Sequence, residues 1–267
     1  MHPGRKPQKG KLTSLRVTLL IPAKSSGHSL ENTVFEANRF LEQRFGDSYE
    51  IILIPNPSPS DEGDDSPAVA ASLAERLARV RVCEHRGAPG KGGALRSGFA
   101  ASRGDWLFFT DADLPYDLDF FERAARELES GVEFVTGNRR MPVSVFDIPV
   151  RLLPLAYRRH RLGVLFNRFV RLFMPIATTD TQAGAKAMSR RMAEAAFSAQ
   201  TCPGFFFDLE FFLTAHRRGF AQKELPVTLY LNSEKSTVRV IRESALAIYW
   251  LLRIFWQDRR GAYEVAP

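Results

Sequence analysis

The 267-residue sequence predicts an α/β fold, a Rossmann-like, mostly parallel sheet with helices on both faces, joined to basic amphipathic helices. Three observations predict it. Apolar, β-rich runs alternate with helical patterns from about residue 15 to residue 137, the rhythm that builds a parallel sheet. With 45% hydrophobic residues a chain of this length can bury one sizeable core. After residue 138 the rhythm breaks into a segment dense in arginine and apolar residues.

The run "LRVTLLIP" (15–22) is a strand ended by Pro22, and Leu30, Val34, Ala37 and Leu41 recur at helical spacing, predicting a helix over about 29–45. "YEIILIP" (49–55) is the second strand, followed by a Pro/Ser/Asp/Gly loop over 55–66 and a helix over 67–79. "VRVCEH" (80–85) is the third strand, with a glycine-rich loop and a helix near 91–102 behind it. "DWLFFT" (105–110) is the fourth, then come a helix over 117–130 and the strand "VEFVTG" (132–137). The basic segment carries a helix near 150–174. "GAKAMS" (184–189), helices over 190–199 and 207–219, a strand over 223–231 and a last helix near 236–258 complete the chain. The expected organisation is a disordered basic tail (1–12), a first half (13–137), a second half (138–235) and a C-terminal amphipathic helix and tail (236–267). No internal repeat is present.

Charge is unevenly placed. Residues 138–177 hold eight arginines against the single acid Asp147, a surplus equal to the whole net charge of +7. Such a concentration points to a phosphate-bearing partner, a membrane surface or nucleic acid, and none of the nucleic-acid recognition signatures is present. Cys83 and Cys202 are too few for a disulfide scaffold and lack zinc-site spacing, which suits a reducing cytoplasm. The start "MHPGRKPQKGK" has no apolar stretch behind it of the signal-peptide kind, and "ALAIYWLLRIFW" (245–256) is too short to span a bilayer.

The stretch "FFTDADLPYD" (108–117) places Asp111 and Asp113 at the end of a buried strand, where parallel sheets bind ligands. At a strand-to-loop turn both carboxylates can face one divalent cation, which relieves their repulsion; the plainer alternative is that they cap the turn or the next helix. "GAPGKGGALRSG" (87–98) fails the pattern of an ATP-binding phosphate loop, since Gly92 stands where Ser or Thr should bind magnesium. It leaves Lys91 among glycines at a helix N-terminus, where exposed N–H groups favour an anion, or else a plain tight turn. In the basic helix, Leu162, Leu165, Phe166, Phe169 and Phe173 share a face, with Arg161, Arg168 and Arg171 away from it. That stripe suits core packing or a membrane interface, and the charge density favours the interface. Tyr249, Trp250, Phe255 and Trp256 repeat the theme. Asp208 and Glu210, in the apolar "CPGFFFDLEFF" (202–212), need a partner: an acceptor site, an arginine of the basic segment, or, for Asp208, a helix cap.

Taken in order, "GKGGALRSG", "DWLFFTDADLP", "TGNRR", "TTDTQAGAKAMSR", "FFFDLEFF" and "ELPVTLYLNSEKSTV" resemble family 2 glycosyltransferases of the GT-A fold. The resemblance covers about residues 15–240 and is closest to the branch that moves glucose or mannose from a nucleotide sugar to dolichyl or polyprenyl phosphate. It implies that 13–137 binds the nucleotide-sugar donor (UDP- or GDP-linked) and 138–235 the acceptor. Asp113 would bind Mg²⁺ or Mn²⁺ on the donor diphosphate, assisted by Asp111, with Pro22, Lys91, Gly92 and Ala112 on the nucleotide side. Arg139, Arg140, Asp180, Gln182, Asp208, Glu210 and Lys235 would line the acceptor side, with Asp113, Asp208, Arg139 and Gln182 nearest the chemistry.

Two segments depart from the family pattern. "IPAKSSGHSLENTV" stands where the family has "IPAYNEE", and "LIPNPSPSDEGDD" where it has "VDDGSxDGT", so the aspartate expected to hold the base is replaced at Pro55-Asn56. Asp61, Glu62, Asp64 and Asp65 are the acids nearby. The five histidines form no cluster, which suits an acceptor phosphate already anionic at neutral pH, needing no base. The expectation is inverting transfer by a peripheral protein on the cytoplasmic face of a membrane. Transfer to a small soluble or carotenoid-like acceptor, and a non-catalytic binding protein with an eroded nucleotide site, are the alternatives.

Overall fold

The computed structural model describes residues 15–56, 63–230 and 240–264. The basic tail, Asp61, Glu62, Lys235 and the start of the last helix lie outside the described residues. The first half follows the expected alternation: β1 (Val17–Ala23), α1 (Gly27–Phe45), β2 (Tyr49–Pro55), α2 (Ser66–Arg76), β3 (Val80–Val82), α3 (Lys91–Ala101), β4 (Trp106–Phe109), α4 (Asp119–Glu129) and β5 (Phe134–Asn138). Beyond it come β6 (Val145–Asp147), a 3-10 turn (Val150–Leu152), α5 (Leu153–Phe173), β7 (Lys186–Ser189) and α6 (Arg190–Ala199). Helix α7 (Phe207–Arg217), β8 (Gln222–Pro226), β9 (Thr228–Tyr230) and α8 (Val240–Arg259) end the chain.

Seven strands form one sheet in the order β3-β2-β1-β4-β7-β5-β8. Side chains alternate across it: Leu19, Ile21 and Phe108 pack on the α1/α4 face, Leu20 and Phe109 on the face covered by α3, α6 and α7. Both faces are therefore apolar, and the strands ending at one rim are free to carry polar groups there.

The sheet is mixed. Strand β7 runs antiparallel to both β4 and β5. The reason lies in its approach: β5 leaves the sheet at the rim, the chain makes its excursion through α5, and it returns at that same rim, so β7 must run downward. The expected strand over 223–231 is also divided. β8 continues the main sheet beside β5, whereas β9 pairs with the unforeseen β6 in a small parallel ribbon. Buried Val227 sits between them, its carbonyl accepting from the Val145 N–H at 3.0 Å.

Helix α5 corrects the core-packing alternative. It buries only Asn167 and Val170, and Leu165 is 66% and Leu172 75% exposed. Asn167 fastens the helix to the fold, its Oδ1 accepting from the N–H and hydroxyl of Thr181 at 3.0 and 2.9 Å. On α8, Tyr249 and Trp256 are likewise exposed, and Phe255 meets Phe173 of α5 edge-on at 6.3 Å. Among the described residues no helix is long and apolar enough to cross a membrane.

Candidate active site

Strand β4 ends at Phe109, and Asp111 and Asp113 follow on a tight turn in which Leu114 takes a positive φ of 43°. A branched side chain rarely holds that conformation, so the turn is strained where the acids emerge. Neither acid caps the next helix. That task falls to Asp117, whose Oδ1 accepts from the Phe120 N–H at 2.9 Å and whose Oδ2 accepts from the Thr228 N–H at 2.6 Å. Burial and the neighbouring Asp111 charge push the Asp113 carboxyl above its ordinary range. A backbone carbonyl is tied down between them: Ala112 O accepts from the hydroxyls of Thr33 (2.9 Å) and Ser29 (3.3 Å).

Behind Asp111 stands Gly184, where a Cβ would come within 2.2 Å of Oδ2. Only glycine allows that approach. An oxygen pair held at the rim, one member of which is destabilised as an anion, suits a hard divalent cation such as Mg²⁺ or Mn²⁺ with further ligands from a phosphate group. The residues fit the ion in kind.

Lys91 is the first residue of α3, and its Nζ lies 2.5 Å from Asp111 Oδ1. The loop before it is tucked against residues 203–204: at Gly90, φ is +142° and a Cβ would lie 2.3 Å from the Pro203 carbonyl. That packing corrects one expectation. The N–H groups of Gly92 and Gly93 are already spent on the carbonyls of Gly204 (3.3 Å) and Pro203 (2.9 Å), so an anion here would meet the Lys91 ammonium rather than free helix amides.

Across the rim, β5 delivers Arg139 and the turn before β7 delivers Asp180. Asp180 is fully buried and accepts from Arg139 Nε (2.7 Å), Nη2 (2.6 Å) and the backbone N–H (3.0 Å). Burial alone would raise the Asp180 carboxyl, but this forked pair outweighs it and holds the group below its ordinary value. Arg140 donates to the Thr179 carbonyl, and its backbone N–H to Asn138 Oδ1 at 2.8 Å. Gln182 is half-buried and, among the described residues, makes no side-chain hydrogen bond.

Asp208, at the start of α7, finds a partner the sequence did not indicate. It is not an arginine of the basic segment but Lys186, whose fully buried Nζ lies 2.9 Å from Asp208 Oδ1 and donates to the carbonyls of Ala183 (2.5 Å) and Thr181 (3.3 Å). A lysine inside an apolar strand beside an acid in an apolar helix was the available signal. Burial drives the Lys186 ammonium below its ordinary value. Tyr116 was also missed; its hydroxyl accepts from the Gly184 N–H at 3.1 Å.

Glu210 stands apart from this group. It is fully buried, with oxygens accepting from the Thr201 and Cys202 N–H groups and the Thr201 hydroxyl (2.8 Å each) and from the Tyr263 hydroxyl (3.1 Å). Pro22 is half-buried near the end of β1, level with Ile54 of β2. Of the acids near the altered second segment, Asp64 accepts from the Ser66 N–H at 2.9 Å, and the Asp65 carboxylate lies against Gly27, within 2.1 Å of where its Cβ would be. Asn56 is buried, and its Oδ1 has no hydrogen-bond partner.

This arrangement has known relatives. The profile described as "Glycosyl transferase family 2" matches residues 18–197. Glycosyltransferase AglD of Haloferax volcanii is 31% identical over 95% of this chain, which spans only 39% of that longer protein. The dolichyl-phosphate beta-glucosyltransferase of Drosophila melanogaster is 29% identical over 80% of this chain and 67% of its own length. Among solved structures, glucosyl-3-phosphoglycerate synthase from Mycobacterium tuberculosis, in complex with Mn²⁺, UDP and phosphoglyceric acid, superimposes with a TM-score of 0.60 at 17% identity, covering 94% of this chain and 80% of that one. The match to two thirds of the chain, on a mixed α/β sheet of the GT-A kind, leads to one conclusion: this chain belongs to glycosyltransferase family 2.

Proposed function

We propose that the protein transfers a hexose, glucose or mannose, from a UDP- or GDP-linked donor to a polyprenyl or dolichyl phosphate at a membrane surface, with inversion at the anomeric carbon. The observation that carries this reading is the position of the acid pair. Asp111 and Asp113 lie at one side of the rim, with Lys91, and Arg139 and Asp180 at the other, beside an arginine-rich helix whose apolar side is uncovered.

Asp111 and Asp113 would hold Mg²⁺ or Mn²⁺, which when bound supplies positive charge to a departing diphosphate. Lys91 adds a second positive charge on the leaving-group side. Arg139, fixed by Asp180, and Arg140 orient the acceptor phosphate. One of its oxygens attacks the anomeric carbon as the bond from that carbon to the diphosphate oxygen breaks, so the electron pair leaves with the nucleoside diphosphate. No proton need be removed, because the phosphate arrives as an anion; positioning is the main demand on the protein. The dolichyl-phosphate beta-glucosyltransferase relatives support this acceptor class.

A second reading, transfer to a small phosphorylated acid, is favoured by the fold shared with the phosphoglycerate-handling synthase, since a phosphate would meet the same arginines. The test is a transfer assay with UDP-glucose or GDP-mannose and Mn²⁺, offering polyprenyl phosphate and phosphoglycerate separately. Lipid-linked product of inverted configuration supports the proposal. Product from phosphoglycerate alone supports the second reading, and retained configuration refutes direct displacement.

A further inference from the structure

Lys186 is a fully buried cation on the floor of the site, in the middle of the sheet. Nothing in the transfer step described above uses it. Its ammonium meets Asp208 at 2.9 Å, the carbonyls of Ala183 and Thr181 at 2.5 and 3.3 Å, and the face of Phe109 at 5.7 Å. It thus joins three elements: β7, which carries it, the N-terminus of α7, and the turn that bears Gln182 and Gly184. The same turn backs Asp111 through Gly184.

The charges of this floor alternate. Asp111 faces Lys91 at 2.5 Å, and Asp208 faces Lys186 at 2.9 Å. The two pairs are neighbours: the first turn of α3 packs on the start of α7, where a Cβ at Gly92 would lie 2.9 Å from the Phe207 Cβ, and the Asp208 charge bears on Lys91 as Lys91 does on Lys186. Lys91 therefore has two acids within its electrical reach, and only Asp208 has a dedicated counter-ion of its own. A buried carboxylate stripped of that counter-ion would draw another cation, and Lys91, on a flexible four-carbon stem at that packed helix start, can turn toward it.

We propose that Lys186 is a positioning residue: by occupying Asp208 it keeps the Lys91 ammonium directed to the Asp111 side of the site, where the donor diphosphate binds. This inference rests on the donor site assigned above. It predicts that the effect of losing Lys186 appears in donor binding, although the Lys186 ammonium contacts Asp208 and neither Lys91 nor Asp111. A role in stability alone would leave donor affinity of the folded protein intact.

The experiment titrates UDP and GDP, each with Mn²⁺, into wild type, Lys186→Met, Lys186→Arg and the double variant Lys186→Met/Asp208→Asn, at a temperature where circular dichroism shows each fully folded. The Lys186→Met variant should bind the preferred diphosphate at least about tenfold more weakly, the scale of a lost hydrogen bond to a charged group. Lys186→Arg should retain affinity better than Lys186→Met. The double variant should recover to within about threefold of wild type, because the acid that captures Lys91 is gone. Equal affinity in wild type and Lys186→Met would overturn the inference, as would a double variant as weak as the single one. Failure of wild type itself to bind either diphosphate would overturn the donor site, and this role with it.

Discussion

Asp113 is exposed at the rim, yet the protein packed around it and the neighbouring Asp111 charge both push its carboxyl upward. A residue so placed gains little for the fold and much from a cation. Asp113→Asn should therefore lower kcat/KM by about 10²- to 10³-fold, the usual cost of removing one preorganised charge contact, while the melting temperature stays nearly unchanged. Asp180 has the opposite character: Asp180→Ala strands Arg139, and urea unfolding should report a loss of about 3 kcal/mol, at the low end for a broken buried pair because the Arg139 side chain is still 29% exposed. The pH dependence follows the same division. At the far end of the sheet, burial pushes Glu50 up, but hydrogen bonds from Arg81, Thr18 and Arg103 outweigh it and hold the group below its ordinary value of 4.5. A depressed carboxyl contributes stability that is fully present above that ordinary value and lost as pH falls through the folded one. Urea midpoints should thus drop on acidification below about pH 4.5, and Glu50→Gln should flatten that drop. At this scale the place of the acid pair at the rim was legible in the sequence, because the apolar run before it reads as a buried strand. Lys186 was not, since a single lysine in "GAKAMS" does not announce which acid, twenty-two residues on, will meet it.

Helix α5 is held to the molecule by Asn167, Val170 and half-buried Phe166, and it turns Leu162, Leu165, Phe169 and Leu172 outward with arginines around them. An apolar face of this kind, rimmed by cations, suits an anionic lipid surface. Charge reversal of Arg158, Arg159 and Arg161 should reduce sedimentation with phosphatidylserine vesicles, most at low salt, because surface charges are screened beyond about 8 Å at 0.15 M salt. Unchanged sedimentation would remove α5 from the membrane. Helical periodicity made this element legible but not its surroundings: the same stripe serves a core or a surface, and only the path of the chain decides. Strand direction was hidden for a similar reason. The apolar pattern of β7 reads the same upward or downward, and its antiparallel course follows from where the excursion through α5 rejoins the rim. The split of 223–231 into β8 and β9 depends on β6, three exposed residues whose pattern carries no strand signal.

Across the whole molecule, the order of elements, the two-faced core and the rim at which the acids emerge were legible, because alternating strands and helices allow few other packings. The base-binding region was not. Asp64 and Asp65 are drawn to the turn at 25–27, leaving Asn56 with an unpartnered oxygen at the end of β2. The proposed transfer depends on a divalent cation held by Asp111 and Asp113 against a nucleoside diphosphate. Calorimetric titration of UDP and of GDP, with and without Mn²⁺, into wild type and Asp113→Asn measures that directly. One diphosphate should bind wild type only when Mn²⁺ is present, and Asp113→Asn should abolish that binding. Binding that ignores Mn²⁺, or that survives intact in Asp113→Asn, would contradict it.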